Sequence, residues 1–414
     1  EMTMADSPYA TAADLGLMQG FPPPPDKRVD RSNALMTPPF NRWSYLHMRE
    51  IYPSAPVRNA EVPRALYVEL TPGVDELTVL RPDGSSATFA EFLRETYTDA
   101  FLVLTPELLV YEHYDNGMHA DHPHQMMSCT KSFAGLFALM AQADGLLAED
   151  GLATDVVPEL AAASGFAGAT IGQVLDMTNS MDFNEDYADP TSSIWRYAEA
   201  LGWTDAPAGS GADSLYDFLV SLPKDPAYSH GEIFHYQTPK TDVVNWITNR
   251  ATGKSFQDNM SEVLWSKLGT EAETYVLLDR YGTLVAGGGL NAGPRDLARF
   301  AMMMLNGGEV DGEQVVATDI IETLERGGSL EAFSRGPEAT GAFATDWSYR
   351  AQWWIRHTPG REAITAIGVH GQWIYIDRAH KVAIVKQSSQ PVSSDPVADQ
   401  FILNAFDAVI DHLN

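Results

Sequence analysis

The 414-residue chain contains a single cysteine, Cys129, so it cannot form an internal disulfide. A lone thiol is typical of proteins from reducing compartments, which favours a cytoplasmic location. The thiol lies beside Ser128, which raises the question of whether it reacts. Neighbouring residues on a helix point about 100° apart, so we expect Cys129 to pack as a small apolar side chain.

Basic residues are also scarce: 27 Lys and Arg face 56 Asp and Glu, giving a formal net charge of −29. This excess repels nucleic-acid phosphates and anionic lipid surfaces, so no nucleic-acid or membrane partner is expected. No apolar run approaches the roughly 20 residues of a membrane helix. No basic segment followed by an apolar one opens the chain as a secretory signal would. The sequence therefore predicts a cytoplasmic globular protein.

The hydrophobic pattern predicts strands near both ends of the chain and helices between them. Residues 100–104 and 108–114 are apolar runs about a short turn, as in a β-hairpin. Residues 373–377 and 382–386 have the pattern of a second strand pair, and 401–413 that of a closing helix. This order indicates an α+β fold, with one sheet assembled from both ends of the chain and a helical insertion.

We expect three regions on these grounds. Residues 1–60 are rich in proline and should form an extended N-terminal arm over the body of the protein. Residues 61–149 and 266–414 should together form the sheet-containing α/β domain. Residues 150–265 should form a helical subdomain.

The segment from Ser128 to Lys131 matches the S-x-x-K pattern of a family of serine hydrolases. Residues three apart on a helix lie on one face, so the Lys131 amine can reach the Ser128 hydroxyl. A serine hydroxyl is a weak nucleophile until a neighbouring base activates it. Two fixed positions match often by chance, however, and an ordinary helix start with an exposed lysine would look the same.

Two later segments supply the partners that such a site requires. Tyr236 precedes an apolar-periodic helix, about where S-x-x-K enzymes place a second catalytic hydroxyl. Further on, Val369, His370 and Gly371 run directly into a predicted strand, which is the usual place of the third element. The three elements in this order are far more specific than any one of them.

The sequence resembles the 6-aminohexanoate-dimer hydrolase and carboxylesterase family of the serine β-lactamase-like superfamily. The resemblance extends over nearly the whole chain, and the matching stretches are residues 99–104, 130–132, 184–187, 202–203, 241–242, 295–299, 352–354 and 370–372. It implies a serine β-lactamase-like fold, in which helices flank an antiparallel sheet and a helical subdomain is inserted.

The resemblance also implies the catalytic residues. Ser128 would be the nucleophile, and Lys131 and Tyr236 would handle the protons. Which of these two takes the Ser128 proton stays open, because both have ordinary pKa values of about 10. The backbone N–H groups of Ser128 and Val369 would form the oxyanion hole.

Several further residues would contact the substrate. By resemblance, Tyr187 would hydrogen-bond the scissile amide nitrogen or leaving group, while Trp203 and Trp354 would line the cleft. Gly287 stands where the dimer hydrolase carries a polar side chain near its substrate. His370 is either a substrate contact or a buried structural histidine.

These features predict a serine hydrolase that needs no cofactor or metal and cleaves a small-molecule amide or ester through an acyl-enzyme. The substrate would be a short ω-amino-acid oligomer or a small carboxylic ester. The alternatives are a β-lactamase or D-Ala peptidase, an acyltransferase, and a sensor that kept the fold without the chemistry. The histidines before Ser128 fit no metal-binding spacing. The resemblance to dimeric relatives favours a homodimer.

Overall fold

The computed structural model describes residues 3–205, 212 and 214–414. Within these residues, β-structure is concentrated in the second half of the chain. In chain order the strands are β1 (Ser54–Pro56), β2 (Thr78–Leu80), β3 (Ser86–Thr88), β4 (Thr98–Leu104), β5 (Leu109–Tyr114), β6 (His124–Gln125), β7 (Tyr275–Leu277), β8 (Leu290–Ala292), β9 (Glu309–Val310), β10 (Glu313–Gln314), β11 (Trp347–Arg350), β12 (Trp353–Arg356), β13 (Ala363–Gly368), β14 (Gln372–Asp377) and β15 (Val382–Ser388).

The helices lie before β11 or after β15, and the described residues between these two strands contain no helix. They are α1 (Asn41–Ser44), α2 (Phe89–Glu95), α3 (Cys129–Ala143), α4 (Ala153–Val156), α5 (Ile171–Leu175), α6 (Ser193–Leu201), α7 (Leu215–Leu219), α8 (Pro239–Thr252), α9 (Phe256–Asn259), α10 (Ser266–Leu268), α11 (Pro294–Leu305), α12 (Thr318–Arg326), α13 (Leu330–Arg335) and α14 (Pro396–Leu413). A π-helical stretch, Met260–Trp265, joins α9 to α10. Among the described residues, every helix is too short or too polar to span a lipid bilayer.

A seven-stranded antiparallel sheet is the centre of the fold, in the order β11-β12-β13-β14-β15-β4-β5. The strand β15 near the end of the chain pairs with β4 from its first third, with Val385 opposite Leu102. A smaller sheet, in the order β1-β7-β8-β6, lies near the start of α3. The predicted fold class, including a sheet assembled from both ends of the chain, is confirmed.

The large sheet is covered on both faces, as the alternation of side chains along its strands requires. From β4, Leu102 and Leu104 belong to the hydrophobic core that includes α3 and α11. The alternate residues Phe101 and Val103 belong to a second core, which also contains Phe406 of α14 with its ring centre 6.0 Å from that of Phe101. Every residue of β4 is buried, since both of its faces are covered.

Two predicted strand pairs and the closing helix are present. Strands β4 and β5 form the expected hairpin, and β14 pairs antiparallel with β15. The final helix starts five residues before the predicted position. There the Asp395 side chain accepts the N–H groups of Val397 and Ala398, and Pro396 occupies the first turn.

Helices and strands are distributed unevenly among the three predicted regions. The described part of 150–265 contains helices and no strand of the four sheets. The segment from residue 3 to 60 is largely irregular and carries only short helical turns and β1. We therefore propose the same division of the chain that the sequence suggested.

The N-terminal arm is tied to the sheet by a buried charge network around Asp99. The Arg42 guanidinium lies 3.1 Å from one Asp99 oxygen, and His124 Nε2 lies 2.8 Å from the other. Asn116 and Ser389 donate further hydrogen bonds of 3.0 and 3.1 Å to the same carboxylate. Asp99 is completely buried, so its charge is compensated entirely by protein groups.

Replacing Asp99 by alanine should lower the free energy of unfolding by about 3–5 kcal/mol, because a buried Arg42 cation would lose its counter-charge. Asp411→Ala provides the control, since that carboxylate pairs with Arg361 on the surface with 62% of its side chain exposed. We expect the control to change stability by less than about 1 kcal/mol. Urea unfolding followed by tryptophan fluorescence measures both, and losses of equal size would contradict a structural role for the Asp99 network.

Candidate active site

Ser128 stands at the start of α3, directly after a tight turn. Met127 in that turn has φ +47°, a left-handed conformation that is unusual for a side-chain-bearing residue and typical of functional sites. The turn is held against the small sheet, because the Met126 N–H donates to the Leu290 carbonyl at 2.9 Å and the Leu290 N–H donates to Thr130 Oγ1 at 2.9 Å. The position of Ser128 is therefore fixed from both sides.

Close packing also fixes α3 itself. A Cβ added at Gly135 would lie 1.9 Å from the Ala351 carbonyl oxygen, so only glycine allows the helix to approach the β11–β12 turn this closely. At the same contact, Ser132 Oγ donates to the Gln352 carbonyl at 2.7 Å. The helix that carries Ser128 and Lys131 is thus anchored to the large sheet.

The predicted contact between Ser128 and Lys131 is present in the structure. Lys131 Nζ lies 2.8 Å from Ser128 Oγ and 2.6 Å from the Gly287 carbonyl oxygen. The lysine is only 1% exposed. Its Nζ is also 4.9 Å from the centre of the Tyr236 ring. An alcohol, an amine and a phenol from two distant segments therefore meet at one point.

The surroundings shift the pKa values of the amine and the phenol in opposite directions. Burial lowers the pKa of Lys131 to about 8, although the carboxylates of Glu185 and Asp242 act against this. Burial and the negative charge of Glu185 raise the pKa of Tyr236 well above its usual value, although a hydrogen bond with Ser128 opposes this. Near neutral pH, Tyr236 therefore keeps its proton, while Lys131 is close to its titration point.

Two backbone N–H groups are available next to the Ser128 hydroxyl. Within the described chain, no hydrogen bond uses the N–H of Ser128 or of Val369. The end of β13 approaches this turn so closely that a Cβ on Gly368 would lie 3.1 Å from the Ser128 nitrogen. These are the two donors that the resemblance implied for an oxyanion hole, and both of their residues line the same cavity.

One of the two carboxylates near Lys131 belongs to Glu185. It accepts hydrogen bonds from the Thr238 N–H at 2.5 Å and from Thr238 Oγ1 at 2.9 Å. The Tyr187 hydroxyl donates to it at 3.1 Å. Glu185 thus orients the Tyr187 hydroxyl at the cavity wall and holds the loop after Tyr236.

The second carboxylate is that of Asp242 in α8. It accepts the Tyr197 hydroxyl at 2.5 Å and the Gly287 N–H at 3.3 Å. The Gly287 peptide group therefore lies between Asp242, which takes its N–H, and Lys131, which donates to its carbonyl. Burial raises the pKa of Asp242 to about 7. Gly287 contributes only backbone groups to the site. Because it has no side chain, this backbone can keep its place between Asp242 and Lys131.

A cavity opens beside Ser128 and encloses about 520 Å³ of empty space, including its mouth. It is lined by Leu35, Met36, Met127, Ser128, Tyr187, Ile194, Trp195, Tyr197, Ala198, Leu201, Trp203, Thr238, Val285, Gly287, Gly288 and Val369. Of the residues proposed for the substrate, Tyr187, Trp203 and Gly287 are therefore in its wall.

Trp354 and His370 are not in that wall. Trp354 lies behind Tyr236, with ring centres 5.4 Å apart, and is 9% exposed. His370 is buried, and its Nδ1–H donates to the Gln390 carbonyl at 2.6 Å. Burial lowers the pKa of His370 to about 4, so its ring is neutral. Trp354 thus packs against Tyr236, and His370 is buried with its Nε2 unpartnered. The substrate contacts predicted for these two residues stay predictions.

Sequence reasoning did not find Glu185, Asp242 or Tyr197. Glu185 precedes Tyr187 by two residues, and Asp242 lies in the helix that Tyr236 introduces, so both were near predicted positions. Their spacing fits no motif, because each acts through contacts between distant segments. Among the described residues, no group of three or more His, Cys, Asp or Glu side chains is arranged to hold a metal ion.

The chain is similar to known proteins over most of its length. The β-lactamase family model matches residues 87–407. The chain is 37% identical over 355 residues to 6-aminohexanoate-dimer hydrolase from Paenarthrobacter ureafaciens, covering 85% of this chain and 86% of that protein. A solved structure assigned as a 6-aminohexanoate-dimer hydrolase from Bacillus anthracis superposes with a TM-score of 0.84 at 30% identity, covering 93% of this chain and 97% of the other.

A family VIII carboxylesterase shares the fold, with a TM-score of 0.55 at 15% identity over 80% of this chain and 98% of the other. The chain belongs to the β-lactamase family and is a homologue of 6-aminohexanoate-dimer hydrolase. The resemblance seen in the sequence is confirmed. The protein is accordingly a β-lactamase-family serine hydrolase.

Gly287→Ala should destabilise the protein by about 1–3 kcal/mol through overpacking, since the new Cβ would lie 2.5 Å from Thr238 Cγ2. Thr238→Ser removes that methyl group but keeps the hydroxyl that binds Glu185. The double variant, Gly287→Ala with Thr238→Ser, should therefore recover at least half of the stability that Gly287→Ala loses. The thermal midpoint of unfolding measures both effects.

Gly288→Ala is the matched control, because the nearest heavy atom to its Cβ would be 3.8 Å away. We expect this variant to be at least as stable as the wild type, since alanine restricts the unfolded chain. Equal destabilisation at the two glycines, or no recovery in the double variant, would show that the crowding at Gly287 is not the cause.

Proposed function

We propose that this β-lactamase-family hydrolase cleaves a linear amide or a small carboxylic ester through an acyl-enzyme on Ser128. The proposal depends on one observation above all: the buried Lys131 amine lies 2.8 Å from the Ser128 hydroxyl, and Ser128 lines an open cavity. The homology to an amide hydrolase supports an amide substrate, such as a short ω-amino-acid oligomer.

Lys131 is the general base in this proposal. Its lowered pKa of about 8 leaves part of the population neutral near pH 7, with a lone pair facing the Ser128 hydroxyl. The Ser128 proton moves to Lys131 Nζ while Oγ attacks the carbonyl carbon. The N–H groups of Ser128 and Val369 stabilise the negative oxygen that forms.

Tyr236 is the acid that releases the leaving group. Its pKa is raised well above the usual value, so the hydroxyl carries a proton to donate. The Lys131 ammonium formed in the first step lies against the same ring and stabilises the phenolate that remains. Water then attacks the acyl-enzyme, with the proton transfers reversed.

Tyr187 distinguishes amide from ester cleavage in this scheme. An amine must be protonated to leave, whereas an alcohol leaves more easily as an anion. The Tyr187 hydroxyl lines the cavity and is oriented by Glu185, so it can hold the scissile nitrogen. We therefore assign Tyr187 to the leaving-group side of the substrate.

A panel of substrates tests this function. Wild-type protein should hydrolyse p-nitrophenyl esters and at least one linear amide from a set that includes the dimer of 6-aminohexanoate, and Ser128→Ala should lower these activities by at least about 10³-fold. Mass spectrometry should find a fluorophosphonate adduct on Ser128 in the wild type. Retention of activity in Ser128→Ala, or failure of Ser128 to be labelled, would overturn the proposal.

Two further components of the panel separate related chemistries. A chromogenic cephalosporin cleaved faster than the linear substrates would identify a β-lactamase instead. Transfer of the acyl group to an added amine or alcohol in preference to water would identify an acyltransferase.

The pH dependence follows from the proposed base. Only neutral Lys131 accepts the serine proton, so kcat/KM should rise about tenfold per pH unit up to roughly pH 8 and then level off. Asp242→Asn removes a carboxylate that raises the pKa of Lys131, and so should move this midpoint to lower pH. Initial rates with a p-nitrophenyl ester between pH 5 and 10 give the profile.

Asp411→Asn is the control for the loss of one negative charge, because this carboxylate is on the surface at Arg361. Its profile should coincide with that of the wild type. An activity that falls as the pH rises through 8 would mean that the protonated lysine is required, and Lys131 would not be the base.

A further inference from the structure

The wall of the cavity away from Ser128 consists of hydrocarbon. Leu35 and Met36 come from the N-terminal arm, Ile194 and Leu201 from α6, and Trp203 and Val285 complete the surface. Among the described residues, the lining includes no Asp, Glu, Lys, Arg or His. A charged group on a substrate would therefore find no counter-ion in this wall.

The polar atoms of the lining tryptophans are also occupied elsewhere. Trp203 Nε1 donates to the Leu278 carbonyl at 3.1 Å, and Trp195 Nε1 donates to the Asp189 carbonyl at 2.9 Å. Both indoles therefore satisfy their N–H groups within the protein and present ring carbons to the cavity.

The two nearest carboxylates are covered by hydroxyl groups. Tyr197 lies between Asp242 and the cavity and donates its hydroxyl to that carboxylate at 2.5 Å. Glu185 already accepts three hydrogen bonds, two from Thr238 and one from Tyr187. Neither carboxylate is itself in the lining, so neither is free to bind a cation there.

We propose that this cavity binds an uncharged, apolar chain of the substrate, and that a terminal ammonium or carboxylate on that chain is disfavoured. This inference depends on the proposed function, because it names the substrate class of the same site. Among the linear amides and esters of the proposed function, it predicts that those with a neutral alkyl or aryl chain on one side of the scissile bond are cleaved faster than ω-amino-acid oligomers, whose two ends are charged.

The physical reason is the different cost of desolvating the two kinds of chain. Each buried methylene gains about 0.8 kcal/mol, which corresponds to about fourfold in kcat/KM. An ionised end group loses its hydration and, in an apolar wall, regains no partner. The chain's net charge of −29 attracts cations over a longer range and so favours the approach of a cationic substrate whatever lines the cavity. For this reason an anionic end group must be tested beside a cationic one.

Two substrate series decide the question, one for each side of the scissile bond. In the first, p-nitrophenyl esters carry a hexanoyl, a 6-aminohexanoyl or a 5-carboxypentanoyl group. In the second, acetyl esters carry matched neutral, cationic or anionic alcohols. In at least one series, we expect kcat/KM for the neutral member to exceed that of both charged members by at least tenfold at 0.15 M salt.

A pair of variants tests whether the apolar wall is the cause. Leu35 is half-buried and lies in the arm, so a polar residue there should be tolerated. Leu35→Asp should raise kcat/KM for the cationic substrate at least tenfold relative to Leu35→Asn, which has nearly the same shape without the charge. The same pair at Met36 serves as a second test if a Leu35 variant does not fold.

The outcomes separate this inference from the proposed function. Equal rates for neutral and charged members in both series, or faster cleavage of the cationic members, would overturn the apolar-chain assignment. The proposed function would still stand if p-nitrophenyl acetate were hydrolysed and Ser128→Ala abolished that activity. If Ser128→Ala still hydrolysed p-nitrophenyl acetate as the wild type does, the proposed function itself would be overturned.

Discussion

The burial of the Lys131 amine against the Ser128 hydroxyl is the constraint on which the rest of the site depends. A fully hydrated lysine would remain charged and could not accept a proton. The protein removes water from it, with only 1% of the residue exposed, and compensates with the Gly287 carbonyl and two nearby carboxylates. With too few of these partners, the buried amine would destabilise the fold. With too much negative charge beside it, the amine would stay protonated. The pKa of about 8 lies between these limits.

This balance requires groups from several distant parts of the chain to be placed accurately. The α3 helix is fixed to the β11–β12 turn through Gly135, and its first turn is fixed to the small sheet through Met126 and Thr130. The Asp99 network joins the N-terminal arm to the sheet, and the same arm contributes part of the cavity wall. The elements that stabilise the fold are thus also those that position the reacting groups and shape the apolar cavity.

Much of this could be predicted from local pattern. The hairpin of β4 and β5, the β14–β15 pair and the helix after Ser128 follow from periodicity and short connections. Trp354 and His370 show where such reasoning stops, because a matched position in the sequence does not state which atoms the side chain will contact. The Trp354 ring packs against that of Tyr236, and His370 is buried with its Nδ1 bonded to the Gln390 carbonyl and its Nε2 without a partner. Glu185 carries no motif at all, since its importance comes from its contact with Thr238.

The sequence by itself determined the chemistry that is available: a hydroxyl and an amine one helical turn apart, a phenol before a later helix, and an order of elements that specifies the fold. Local spacing suffices for these features, because a helix fixes the distance between residues three apart. Only the tertiary structure decided the charge state of Lys131, the roles of Asp242 and Gly287, and the apolar character of the cavity. Desolvation and long-range contacts control all of these, and both exist only after segments far apart in the chain have packed together.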